Sequence, residues 1–262
     1  MTQIQKIGIV ITFHNHATDF VIPCVESVIT YTPHPHYIIL YDNQSNDTES
    51  LLIQNYDWDE KIAISVIKNQ KKHWWLTGTW NKGIDQCLSQ GCTKIILLNH
   101  DTIVDESWPI YIDHIQSPLT LYGPISNKPG YNDNNYQQKT KSYSRKHPHS
   151  LRESQHINGF CLGFTSETLK ETMYNKKYYF NPAYPFEYNE IEWQKRLKER
   201  GGKIMIVEGC YVFHHKDHAW TKIHLNYFQK MKNKIGFWMY KIHPRLYSAC
   251  ARFFPYKDYS TK

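Results

Sequence analysis

Residues 94–102 read Lys94-Ile95-Ile96-Leu97-Leu98-Asn99-His100-Asp101-Thr102. Four consecutive branched aliphatic residues leave no polar face, so this segment predicts a strand buried on both sides rather than one edged by water. The same signature recurs upstream, in Ile7-Gly8-Ile9-Val10-Ile11-Thr12, Tyr37-Ile38-Ile39-Leu40-Tyr41 and Ile62-Ala63-Ile64-Ser65-Val66-Ile67. Helical patterns lie between some of them, over residues 19–30 and 79–89. Apolar strands alternating with helices predict an α/β fold with a mostly parallel, Rossmann-like sheet covered on both faces. Such sheets bind ligands beyond the carboxyl ends of their strands. The residues of interest are therefore Thr12-Phe13-His14-Asn15, Asp42 with its turn Asn43-Gln44-Ser45-Asn46-Asp47, and Asn99-His100-Asp101. Alternation along the fourth strand puts Asn99 and Asp101 on one side. An aspartate just past a strand suits Mg2+ or Mn2+.

Downstream, residues 126–154 are polar and poor in aliphatics, and predict a long surface loop. Structure resumes at His156-Ile157-Asn158-Gly159-Phe160, followed by a helix from Ser166 and another over residues 189–200, which stops at Gly201-Gly202. Lys203-Ile204-Met205-Ile206-Val207 and Cys210-Tyr211-Val212-Phe213 predict two short strands.

The chain has 262 residues and a formal net charge of +7. Residues 221–262 hold nine Lys+Arg and one acid, so the rest of the chain is close to neutral. That argues against a nucleic-acid-binding surface spread over the fold. Within 221–262, Ile223, Tyr227, Phe228, Met231, Ile235, Trp238 and Ile242 recur at helical spacing among lysines. This predicts a basic amphipathic helical extension, packed on the domain or docked peripherally on a membrane. The six cysteines include no CxxC pair, and His214, His215 and His218 follow a strand, so a zinc site is not expected. The N-terminus shows no signal-peptide pattern, which predicts a cytoplasmic protein.

Four segments in order resemble the inverting GT-A glycosyltransferases of family 2, in particular their rhamnosyltransferase-like branch. They are Thr12-Phe13-His14-Asn15, the Asp42-to-Asp47 turn, Trp74-Trp75-Leu76-Thr77-Gly78-Thr79-Trp80-Asn81-Lys82-Gly83, and Leu97-Leu98-Asn99-His100-Asp101-Thr102. Ile157-Asn158-Gly159, Asn189-Glu190-Ile191-Glu192 and Val212-Phe213-His214-His215 extend the resemblance across residues 6–216. It implies a catalytic domain over 1–220, with a donor half near 1–102 and an acceptor half near 103–220. Thr12, Asn15, Asp42, Trp75, Gly78, Asn81 and Asn99 would meet a nucleoside-diphosphate sugar, with Asp42 accepting from the base imide. Trp74 and Gly159 would face a glycan or lipid-linked acceptor. Asp101 and His214 would hold Mg2+ or Mn2+. Glu190, with Glu187 in reserve, would be the general base, and transfer would invert the anomeric carbon.

Two positions depart from the family pattern. Asn99 replaces a frequent aspartate, and Asn189-Glu190 replaces a Glu-Asp pair. Helical geometry independently places Glu190 with Trp193, Gln194 and Leu197, and Glu192 nearly opposite. The alternatives are a nucleotidyltransferase, although a glycine-rich phosphate loop is missing after the first strand, and a binding module whose metal site has decayed. RNA binding through the basic tail is a third.

Overall fold

The computed structural model describes residues 6–33, 36–59, 62–69, 75–130, 136–184 and 188–215. The expectations for 221–262, Trp74 and Glu187 fall outside these residues, as does the side chain of Trp75.

Four parallel strands form one half of the sheet, in the order β3 (Ala63–Lys68), β2 (His36–Asp42), β1 (Ile7–Phe13), β4 (Lys94–Asn99). Side-chain alternation divides each strand between two cores. Ile9, Ile11, Ile38, Leu40, Ile96 and Leu98 pack with α1 (Ile22–Tyr31) and α4 (Trp108–His114). Val10, Ile39, Ile95 and Leu97 pack with α3 (Trp75–Ser89) and α7 (Asn189–Glu199). Each such aliphatic side chain contributes about 1.5–3 kcal/mol on burial, so the two-sided apolar runs hold the sheet between its helical layers. Gly83 permits the close approach of α3, because a Cβ there would overlap the Val10 side chain.

Beyond β4 the sheet becomes mixed. β8 (Cys161–Thr165) runs antiparallel to β4, and β6 (Thr120–Ser126) runs antiparallel to β8 and parallel to β9 (Lys203–His214). The two short strands expected at the C-terminal end are one. The β6–β9 register shifts after Pro124–Val207 and resumes at Ile125–Tyr211, so Glu208-Gly209-Cys210 bulge out. Gly209 fits there because a Cβ would collide with the Pro148 backbone.

The polar stretch 126–154 is also more ordered than its composition predicts. It contains α5 (Lys141–Lys146), capped by the Thr140 hydroxyl, and β7 (Leu151–Glu153), paired with β9. Buried Glu208 accepts from Tyr143, Ser150 and Arg152 and ties both elements to the bulge. A further helix, α2 (Asp47–Gln54), follows the Asp42 turn, with the Asn46 side chain accepting from Glu49 N–H at 3.0 Å. The remaining elements are β5 (Thr102–Ile103), which pairs with the end of β9, and α6 (Ser166–Glu171).

Candidate active site

The site assembles at the carboxyl edge of the parallel strands. Thr12 and Asn99 are register partners across β1 and β4, on the α3 side. The Thr12 hydroxyl lies 3.1 Å from that of Thr79, which fixes the first turns of α3 against the end of β1. α3 opens at Trp75 rather than Thr79, so Gly78 lies inside it. Asn81 turns away from this edge. Its Oδ1 accepts from the N–H groups of Tyr179 and Phe180, and its Nδ2 donates to the Phe180 carbonyl. The Asn81 amide is thereby bonded to the chain before α7.

Asp42 is completely buried. Oδ1 accepts from Ser45 N–H at 2.7 Å, whereas Oδ2 has no partner. A buried carboxylate oxygen left unpaired costs stability, so it is suited to a donor that arrives with a ligand. Asn15 braces the same turn: its N–H donates to the Ser45 hydroxyl and its Oδ1 accepts from Asn46 N–H at 2.9 Å. Asn15 and His16 both adopt left-handed backbone, which turns the chain sharply from β1 into a π-helical turn, Ala17–Val21, that continues as α1.

β4 ends at Asn99, and Asp101 lies in the following turn, so strand alternation does not set its direction. The His215 N–H donates to the Asp101 carbonyl at 2.9 Å, bringing the end of β9 alongside. His214 Nε2 then lies 3.3 Å from Asp101 Oδ1, with both residues buried. His214 Nδ1 lies 2.7 Å from the Lys128 carbonyl, which accepts only, so Nδ1 carries a proton. Nε2 therefore presents its lone pair to a carboxylate unless a cation lies between them. A proton or a divalent ion meets that requirement, and an imidazole with a carboxylate suits either Mg2+ or Mn2+ with further ligands from a substrate. Burial pushes the Asp101 carboxyl up, but the His214 bond and charge, aided by His100, hold it net below its ordinary value. Among the described residues no group of three or more His, Cys, Asp or Glu side chains is arranged to hold a metal.

His100, between Asn99 and Asp101, is a site residue that sequence reasoning passed over. Its Nδ1 faces the Thr12 carbonyl at 3.2 Å, and its buried Nε2 has no partner. Burial lowers its pKa, against the opposing pull of the Asp101 carboxylate.

On the other side of the edge, Asn99 N–H donates to the Phe160 carbonyl at 2.9 Å, placing Gly159 one residue beyond the end of β4. A Cβ on Gly159 would lie 3.3 Å from both Cγ and Cδ of Glu190. The two candidates read separately from the sequence are thus in contact, and the missing side chain makes room for the carboxylate. Glu190 is half-buried in the first turn of α7, where the helix dipole favours negative charge. Asn189 is wholly buried: Nδ2 donates to the Thr77 hydroxyl at 2.9 Å, Oδ1 accepts from Glu190 N–H at 2.8 Å, and Thr77 in turn donates to the Tyr184 carbonyl. Glu192, expected to face nearly opposite Glu190, is buried as well. It forms a two-pronged ion pair with Arg196, at 2.8 and 2.9 Å, so α7 is covered on two sides.

Comparison with known proteins identifies the family and the fold. The profile described as "Glycosyl transferase family 2" matches residues 8–179. The chain belongs to that family. Its fold resembles GalNAc-T7, crystallised with UDP, GalNAc and Mn2+, with a TM-score of 0.61 at 16% identity over 82% of this chain and 44% of that one. It also resembles S. aureus TarS 1-349 in complex with UDP, with a TM-score of 0.55 at 12% identity over 80% of this chain and 60% of that one. The fold is accordingly the GT-A fold of glycosyltransferases, and the chain spans less than two thirds of either neighbour. A search of curated protein sequences returns no match.

Proposed function

We propose that the protein is a metal-dependent inverting glycosyltransferase. It moves a rhamnose-like or related hexose from a nucleoside-diphosphate donor to a glycan or lipid-linked acceptor. The observation that carries this reading is the seating of the Glu190 carboxylate on Gly159, at the same strand edge where Asp42 and Asp101 end.

The unpaired Oδ2 of Asp42 accepts from the imide N–H of a pyrimidine base. Asn15 keeps the Asp42 turn in shape, and Thr12 and Asn99 lie beside the ribose and diphosphate. Asp101 and His214 would hold the divalent ion, which would supply positive charge to the leaving diphosphate. Gly78, near the start of α3, is assigned to the donor and Gly159 to the acceptor; the resemblance assigns Trp75 and Trp74 to the same two partners. Glu190 takes the proton of the acceptor hydroxyl as that oxygen attacks the anomeric carbon. The bond from the anomeric carbon to the diphosphate oxygen breaks on the opposite face, and the nucleoside diphosphate leaves with the electron pair. One displacement gives inversion. The UDP in both neighbouring structures supports a uridine donor, and Mn2+ in one supports the metal.

The basic composition of 221–262 suits either packing on the domain or a peripheral contact with anionic lipid where a lipid-linked acceptor is anchored. No helix among the described residues is long and apolar enough to cross a membrane.

The test is a panel of UDP-, dTDP- and GDP-sugars with Mg2+ or Mn2+, scored by nucleoside diphosphate release and by the anomeric configuration of the product. Glu190→Gln is expected to leave a residual turnover about 10²–10⁴-fold below wild type, and Asp101→Ala is expected to abolish turnover. Full transfer by Glu190→Gln, or a product of retained configuration, refutes the mechanism.

A further inference from the structure

The segment Ile157-Asn158-Gly159 belongs to no strand or helix, yet its backbone is bonded as closely as a strand's. Gln194 Oε1 accepts from Ile157 N–H at 2.8 Å, and Gln194 Nε2 donates to the Ile157 carbonyl at 2.9 Å. Gln137 Oε1 accepts from Asn158 N–H at 2.8 Å and from Asn158 Nδ2 at 3.3 Å, while Gln137 Nε2 donates to the Pro124 carbonyl at 3.0 Å. Both glutamines are buried, and together they replace the ladder a neighbouring strand would have supplied.

Gln194 lies four residues after Glu190, on the same face of α7. The contacts close a ring. From Glu190 one turn of helix leads to Gln194, its amide to Ile157, the chain to Gly159, and Gly159 back to the Glu190 carboxylate. An apolar residue at 194 would fill the same space but would remove the partner of both Ile157 backbone groups. The amide gives something packing cannot. α7 can neither slide nor rotate against the 157–159 segment without breaking both bonds.

We infer that Gln194 is a positioning residue for the transfer reaction: its paired bonds to Ile157 fix α7 against Gly159, and so fix where the Glu190 carboxylate meets the acceptor hydroxyl. The inference rests on Glu190 as the base. Displacing a catalytic group by about 1 Å costs up to about a hundredfold in rate. Gln194→Leu is therefore expected to lower kcat by about ten- to a hundredfold, with the donor KM unchanged because Asp42 and Asp101 are untouched.

A double-mutant cycle provides the decisive test, with full-length protein, the donor sugar found active in the panel, and UDP binding and thermal melting as checks on folding. If Gln194 acts through Glu190, Gln194→Leu has no further effect on the residual kcat of Glu190→Gln. The neutral Gln194→Asn keeps an amide that can still bond one of the two Ile157 backbone groups without burying a charge. It is expected to lose less activity, with the same non-additivity, and it serves where the leucine variant does not fold. Additive losses for both variants, or a rise in donor KM matching the fall in kcat, overturn the positioning role. Full turnover by Glu190→Gln alone would instead remove the base assignment, and this inference with it.

Discussion

His214 Nε2 and Asp101 Oδ1 face each other at 3.3 Å while the other ring nitrogen of His214 is bonded to the Lys128 carbonyl. That pairing asks for a cation. Mn2+ with UDP is expected to raise the melting temperature of the wild-type protein more than UDP alone does. His214→Ala and Asp101→Ala are expected to lose that increment and keep the increment from UDP alone. Equal stabilisation by Mn2+ in the variants would place the metal elsewhere.

Asp42→Asn separates binding from stability. The amide keeps an acceptor for Ser45 N–H but puts an N–H2 where Oδ2 was, opposing the imide N–H of a pyrimidine. Affinity for UDP is expected to fall by about 1–3 kcal/mol, read by calorimetry. The free protein should melt no lower than wild type, because the substitution removes a buried, unpaired carboxylate oxygen. A variant that binds UDP normally contradicts the role given to Asp42.

Restoring an acid at position 189 should harm the protein. Asn189 uses an N–H2 toward Thr77 and a carbonyl toward Glu190 N–H, and an aspartate offers only acceptors. Asn189→Asp also buries a charge. Urea unfolding is expected to show a loss of about 2–4 kcal/mol, and unchanged stability would refute the proposed link between α3 and α7.

Glu208 sets an acid limit on stability. Burial raises its carboxyl, but bonds from Ser150 and Arg152, with Tyr143, hold it net below its ordinary value. The native state thus binds fewer protons than the unfolded chain. The resulting stability is complete above the ordinary carboxylate range and is lost as pH falls through it. The wild-type melting temperature is expected to drop more steeply than that of Glu208→Gln between pH 6 and 3. Parallel profiles would show that the cluster does not respond to pH in this way.

Legibility in the sequence followed burial. β1, β2 and β4 were plain because strands covered on both faces need aliphatics at every position. β6 was missed because Gly123 and Pro124 interrupt it, at the point where its register with β9 shifts. β9 looked like two strands because Glu208 and Gly209 belong to a bulge. The second buried side of α7 was hidden because Glu192 is compensated by Arg196, a partner that also reads as surface charge. At the site, strand ends drew attention to Thr12, Asp42 and Asp101. The approach of His214 and of Gly159 to their partners was expected only through resemblance. Helical geometry put Gln194 on the Glu190 face, but its bonds to Ile157 and those of Gln137 to Asn158 left no signal, since amides bonded to backbone follow no hydrophobic period.

The pairing of β5 with the last residues of β9 has a kinetic consequence. Asp101 belongs to the early half of the chain and His214 to the end of its last described strand. Contacts this distant in sequence form late, after their loop-closure entropy has been met. During synthesis the parallel strands can pair while the proposed metal-binding pair still lacks its histidine. Affinity for a divalent ion would then appear only in the closing step of folding, and the gain of that affinity would time the arrival of β9.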